Sequence, residues 1–356
     1  MSYFIPGIVL EQRKEPMLSR DMAVMKPDAP RTFSNPFKEI LPRELRPEEI
    51  TELARLADII DESDGRSLYE KLIEADKRGV EAVIADAIDD EPYISSQLNI
   101  ALHEPEKIAL ALELCAKAAH ADLSKTRVAV YRHVLDITIR IPKKLAGVEV
   151  MRFGGRYPAE MRAYHKFQKE KKTFSAGTGA LLHLVRAAER GIAQTTCFVT
   201  VAGDAVANPR NLEVPVGTPV SEVLRFCGLA ADPEAVIVGG SMTGRSVSDP
   251  EEEKVGVMTR GILAFRESHK SLGYICIGCG RCDHACPEGL SASQLRRFAE
   301  FGRKDLLELY DVDRCIGCGA CSYVCPSKLD IGSAIFAAKR SLAAEKVLSE
   351  KGGAAE

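Results

Sequence analysis

The chain has 356 residues, 46% of them apolar and 28% charged, with no tryptophan. That is room for two or three domains with real cores. Its 48 basic and 51 acidic residues leave a net charge of −3, a balance that gives no reason to expect nucleic acid as a partner. No apolar run is long enough to span a bilayer. The start, Met1 to Pro6, lacks a basic region followed by an apolar block. A cytoplasmic location is therefore expected, compatible with peripheral docking onto a membrane complex.

In chain order, prolines at 6, 16, 27, 30, 36 and 42 mark residues 1–45 as an extended N-terminal arm, suited to wrapping another subunit. Helical spacing follows over 47–60, with Pro47 at the start, and again over 66–78. An apolar run from Val80 to Ala87 precedes a helix over 105–120, a strand over 127–132, a helix near 134–146, a strand over 148–153 and a helix over 178–190. Such strand–helix alternation predicts a parallel α/β sheet covered on both faces, occupying 46–195. At 196 the texture changes. Strands over 197–203, 212–216 and 235–239, a turn at Asn208–Asn211 and a short helix over 219–227 predict a small α+β module ending near 256. Residues 257–340 form the cysteine-rich domain and 341–356 a tail; an amphipathic helix is expected over 333–348.

Eleven cysteines are many for a reducing compartment, where metal ligation is a better first reading than disulfides. Eight of them fall in two runs, Cys276-x₂-Cys279-x₂-Cys282-x₃-Cys286-Pro287 and Cys315-x₂-Cys318-x₂-Cys321-x₃-Cys325-Pro326. This is a duplicated unit. Three cysteines two residues apart wrap one face of an iron–sulfur cubane. Gly278, Gly280, Gly317 and Gly319 let the backbone approach the sulfides. Zinc ribbons use paired C-x₂-C knuckles rather than runs of four. In two-cluster ferredoxins the fourth cysteine of such a run ligates the other cluster. That rule assigns Cys276, Cys279, Cys282 and Cys325 to one [4Fe–4S] cluster, and Cys315, Cys318, Cys321 and Cys286 to a second. Two clusters at about −2 each would bring the holoprotein to about −7. Residues 291–312 read as a helix pair between the runs. Cys115, Cys197 and Cys227 sit in apolar segments and read as small buried hydrophobes.

Four stretches carry a family resemblance: Asp89-Asp90-Glu91-Pro92-Tyr93-Ile94-Ser95, Phe153-Gly154-Gly155-Arg156-Tyr157-Pro158, Thr200 to Pro219 with Gly239 to Gly244, and the cysteine repeat. On these, from about residue 46 to 340, the chain resembles the peripheral C subunit of the Rnf electron-transport complex. More distantly it resembles the NADH- and flavin-binding subunit of respiratory complex I. The resemblance implies a Rossmann-like parallel-sheet domain of the complex I flavin-subunit kind, then an SLBB β-grasp module at 196–256, then a bacterial-type 2[4Fe–4S] ferredoxin domain. The departures are as informative. Residues 1–45 are too short for the family's lipoyl-like β domain. Where the family has a glycine-rich flavin loop, this chain has Asp58-Ile59-Ile60-Asp61-Glu62-Ser63-Asp64-Gly65-Arg66-Ser67, with Gly65 its one glycine. Asp61, Glu62 and Asp64 would repel an FMN phosphate, so FMN is not expected despite a candidate cofactor-binding set of Asp58, Asp61, Glu62, Asp64, Gly65 and Glu91. The acidic loop 89–91 reads either as a partner contact or as a solvated loop. The SLBB module reads as a packing and docking unit more than as a ligand site. No catalytic residue is assigned. The expected function is an electron-transfer subunit relaying single electrons between a flavoprotein or ferredoxin and a partner reductase in an anaerobic redox complex. The rival readings are a flavin-dependent NADH dehydrogenase or corrinoid (cobalamin) reductase, and a scaffold with structural clusters.

Overall fold

A computed structural model gives the fold, described for residues 23–25, 32–132, 141–169, 172–229, 232–267 and 275–352. Most of the expected N-terminal arm lies outside this set. The chain divides into two compact units, one built from the described residues up to 240 with 247–266, the other from 267 onward with 241–246.

The first unit opens with a short strand β1 (Ala23–Val24) and helices α1 (Pro47–Leu56) and α2 (Leu68–Arg78). The α/β elements follow: β2 (Ala82–Ala87), α3 (Ser96–His103), α4 (Pro105–Ala118), β3 (Arg127–Tyr131), β4 (Lys144–Leu145), β5 (Val148–Phe153), α5 (Ala159–Lys169), β6 (Thr173–Gly177) and α6 (Thr178–Arg190). The sheet order is β4-β5-β3-β2-β6. Strands β5, β3, β2 and β6 are parallel, and β4 is an antiparallel edge. Central β2 is Ala-Val-Ile-Ala-Asp-Ala, buried along almost its whole length, the near-continuous apolar pattern of a strand covered on both faces. Helix α6 is buried on most of its surface through Leu181, Leu182, Leu184 and Val185, each worth about 1.5–3 kcal/mol in transfer free energy.

The expected α/β sheet is present, and α3, α5 and β6 are elements the sequence reading did not contain. The helix expected near 134–146 falls mostly on residues outside the described set, and its end is β4. Ala146 and Gly147, both at positive φ (44° and 87°), turn β4 back into β5. This is the tight hairpin turn that sequences usually announce with Asn-Gly. Helix α3 was not legible because Ser96, Gln97 and Asn99 are buried along with its apolar residues, so no amphipathic stripe marks it.

The second sheet holds β7 (Thr196–Ala202) and β8 (Arg210–Pro215), then helix α7 (Val220–Phe226), then β9 (Ala235–Val238). A short β10 (Arg245–Val247) precedes β11 (Gly261–Phe265). Strands run β1-β8-β7-β11-β9; β7 and β8 are antiparallel, and β11 lies parallel to β7 and antiparallel to β9. Strand β11 therefore fills the middle of this sheet, although the sequence placed 257–265 in the cysteine-rich domain. Its backbone donors and acceptors need neighbours on both sides, and β7 and β9 supply them. Cys115, Cys197 and Cys227 are buried as expected, and burial pushes their thiols up to about 12, 12 and 11.

The second unit carries α8 (Arg281–Ala285), α9 (Ala292–Glu300), α10 (Lys304–Leu309), α11 (Ala320–Tyr323) and α12 (Ile331–Gly352). The predicted helix pair is α9 and α10. The predicted terminal helix is α12, which runs unbroken across residue 340. Leu290, Leu295, Leu307, Val312, Ile331, Ile335 and Leu342 form the core between them.

Candidate functional site

The two cysteine runs fold as copies of one another. Gly278 and Gly280 have φ of 69° each; their counterparts Gly317 and Gly319 have 70° and 73°. Only glycine adopts this left-handed backbone without strain, and here it bends each loop around the thiols. A short helix, α8 or α11, starts directly after each glycine pair.

The residue following the third cysteine performs the same task in both copies. Asp283 accepts from Ser293 N (2.8 Å) and Ser293 Oγ (2.9 Å), tying down the start of α9. Ser322 Oγ accepts from Gly332 N (2.7 Å), tying down the start of α12. The offset is ten residues each time. The sequence repeat was plain, but this supporting pair was missed because the two residues differ in type.

Cys286, Cys315, Cys318 and Cys321 line one hollow of about 400 Å³, mouth included, whose remaining walls include Leu290, Leu295 and Ile335. These are the four cysteines that the crossed-ligation rule groups together, with Cys286 arriving from the other run. Lys339 Nζ donates to the carbonyls of Asp313 (2.6 Å) and Cys315 (2.8 Å), holding the entry to this loop against α12. In the other set, Cys276 and Cys279 are exposed and Cys282 is buried. Burial and Asp283 do most to push the Cys282 thiol up to about 11, and Cys325 lies near enough to add to the effect. Among the described residues no three His, Cys, Asp or Glu side chains converge as ligands of one ion must. Ligands of a cubane each meet a different iron and stand further apart. Thiol-lined, apolar and glycine-cornered, the residues fit an iron–sulfur cluster.

The carboxyl edge of the parallel sheet is where open α/β folds bind ligands, often on the N-terminus of a helix, whose free N–H groups favour an anion. In this chain the starts of α6 and α5 at that edge are filled by its own carboxylates. Glu62 accepts from Gly179 N (2.7 Å) and Ala180 N (2.9 Å) at the start of α6. Asp90 accepts from Ala159 N and from Glu160 N (3.2 Å) at the start of α5. Gly177 and Gly179 leave space that Glu62 takes up: a Cβ on either would stand 2.3 or 2.8 Å from Glu62 Oε1. This Gly177-Thr178-Gly179 cradle was missed in the sequence.

The degenerate loop itself turns inward. Asp61 is fully buried; it accepts from Ser63 N (2.9 Å), Gly177 N (3.0 Å) and Lys71 Nζ (2.5 Å). Lys71 also pairs with Asp64 at 2.9 Å. Burial opposes its charge, but Asp61 and Asp64 outweigh burial and hold its pKa up. Asp58, in contrast, is exposed, and Gly65 (φ 73°) closes the turn by donating to Asp61 O (2.8 Å). The acids therefore do more than repel a phosphate: Glu62 occupies the donors that one would need.

The 89–91 loop is half-buried, and its acids are engaged by the chain's own groups. Arg260, at the start of β11, binds Asp89 at 2.9 Å and also Glu160. Asp89 Oδ2 accepts from Leu98 N (2.8 Å). Glu91 lies so close to Gly240 that a side chain there would collide with it. Behind them, burial lifts Asp86 to about 7 and Glu160 to about 8, although Arg260 favours their charged forms. Asp86 Oδ2 is buried without a partner among the described residues. The N–H groups at the starts of α5 and α6, which could otherwise hold a phosphate, are thus taken by Asp90 and Glu62.

Comparison with known proteins adds to this geometry. Residues 275–329 match a 4Fe-4S dicluster domain and residues 198–246 an SLBB domain. The chain is 26% identical over 298 residues to the C subunit of the ion-translocating oxidoreductase complex of Rhodobacter capsulatus, covering 76% of this chain and 56% of that one. It is 29% identical over 296 residues to the C subunit of the Na(+)-translocating ferredoxin:NAD(+) oxidoreductase complex of Acetobacterium woodii, covering 77% and 65%. The chain thus spans roughly three-fifths of the length of these relatives. Among solved structures, an NAD+-reducing [NiFe]-hydrogenase in the H2-reduced state shares the fold, with a TM-score of 0.57 at 15% identity over 88% of this chain and 65% of that one. Over three quarters of its length, and with both of those domains in the expected order, this chain resembles the C subunit of the Rnf complex.

Proposed function

We propose that the chain is an iron–sulfur electron-transfer subunit that relays single electrons between a flavoprotein or ferredoxin and a reductase of the same complex. The observation that carries this reading is the set of Cys286, Cys315, Cys318 and Cys321 around one hollow, drawn from two different runs. In this reading Cys276, Cys279, Cys282 and Cys325 hold one [4Fe–4S] cluster and the other four cysteines hold the second. Each cluster supplies a one-electron redox centre. The residues of the chain hold those centres rigid: Asp283 and Ser322 pin the helices that follow, and Leu290, Leu295 and Ile335 keep water from the inner set. FMN is absent in this proposal because Glu62 and Asp90 take the helix donors. Hydride chemistry then belongs to a partner, and the chain works at the surface of its complex without crossing a membrane; among the described residues no helix is long and apolar enough to cross one. A reducing, cytoplasmic site suits cysteines that serve as cluster ligands.

A redox titration of the anaerobically prepared chain, followed by electron paramagnetic resonance, tests the relay. Two signals that appear and disappear reversibly are expected. Clusters that cannot be reduced reversibly would favour the scaffold reading.

A further inference from the structure

The two cysteine loops are copies in backbone but opposites in exposure. In the second copy Ile316 is half-buried and Cys318 is buried; at the same positions of the first copy Ile277 is 69% exposed and Cys279 is exposed. Ile275, just before the first cysteine, is 87% exposed. The glycines make the same point. A side chain at Gly317 would press on the Phe336 ring of α12 at 3.0 Å, whereas one at Gly278 would meet nothing within 4 Å among the described residues. Helix α12 thus roofs the second loop, and no described element roofs the first.

Among the described residues, these exposed isoleucines beside an exposed metal ligand are not packed into the core of the unit. Water at an electron-transfer centre raises the reorganisation that each transfer must overcome, and an apolar contact removes that water. Charge narrows the occupant further. Arg281 and His284 are exposed on the same loop, while its one acid, Asp283, is turned inward onto Ser293. The rim of this loop therefore presents the Arg281 cation and no outward acid side chain.

We infer that the loop Ile275–Arg281 is the docking port for a one-electron carrier protein, one presenting an apolar patch with an acidic rim over its own redox centre. This rests on the relay reading above. The first cluster is then the site of exchange, and the roofed second cluster passes electrons within the molecule. One electron leaves the carrier, whose centre is oxidised, and enters the first cluster, which is reduced; no atom is transferred.

The test uses the full chain, anaerobically loaded with iron, and stopped-flow mixing with a reduced bacterial two-cluster ferredoxin or with methyl viologen radical as a small reductant. Rates are normalised to iron per chain. Ile275→Glu lies outside the ligand loop and Ile277→Glu within it; Leu309→Glu, at an exposed residue of α10, is the control. The port predicts that Ile275→Glu and Ile277→Glu each slow reduction by ferredoxin at least tenfold. Reduction by viologen should stay within twofold of wild type, and Leu309→Glu should leave both rates unchanged. If ferredoxin reduces wild type and both isoleucine variants equally fast, the port is wrong while the relay stands. If neither reductant reduces the wild-type clusters, both fail.

Discussion

Two buried residues show how the carboxyl edge of the sheet is held closed. The Lys71 side chain is 5% exposed and sits between Asp61 and Asp64. Breaking a buried ion pair leaves uncompensated charge behind and typically costs about 3–5 kcal/mol. Lys71→Met should lower the unfolding free energy by about that amount, seen as a lower denaturant midpoint at unchanged slope; a loss below about 1 kcal/mol would mean that water reaches these acids. Asp86 sets a pH dependence. Burial lifts it to about 7 in the folded chain, against about 3.9 unfolded. The folded state therefore keeps a proton that the unfolded chain releases. This contribution is full below about pH 4 and is lost as the pH rises through about 7. Glu160, lifted to about 8, acts in the same direction. The holoprotein should melt at a lower temperature at pH 8 than at pH 6, and Asp86→Asn should narrow the gap. An unchanged gap in the variant would place the dependence elsewhere.

At the scale of elements, the paired cysteine runs make a prediction that single substitutions cannot. With crossed ligation, Cys276→Ser with Cys325→Ser removes ligands from one cluster, so about four irons should remain. Cys276→Ser with Cys286→Ser strikes both clusters, and iron should fall towards zero. The opposite pattern would mean that each run holds its own cluster. These runs were legible in the sequence because ligand spacing is a local constraint, written within eleven residues. Helix α6 was legible to its end residues, since Gly191 in the left-handed conformation stops it. The filling of its N-terminus was not. Glu62 and Gly179 are 117 residues apart, and nothing local in Asp-Glu-Ser-Asp says whether the acids face water or a helix. Strand β11 escaped for a related reason: its partners β7 and β9 are distant in sequence, and it follows a loop rich in turn residues.

In the whole molecule, a parallel α/β sheet, a β-grasp sheet and a duplicated cysteine unit follow one another along a chain that spans roughly three-fifths of the length of its relatives. In this chain the acids of the sheet's carboxyl edge turn inward. Asp61, Glu62, Asp89 and Asp90 each satisfy an internal donor or cation, so the edge that would receive a flavin is closed from within. That closure and the hollow lined by Cys286, Cys315, Cys318 and Cys321 are what the proposed one-electron relay rests on. The most direct measurement is iron and released flavin per chain after anaerobic purification. The account predicts about eight irons and no flavin. One FMN per chain alongside eight irons would contradict it, showing that Glu62 and Asp90 leave their helices to admit a phosphate.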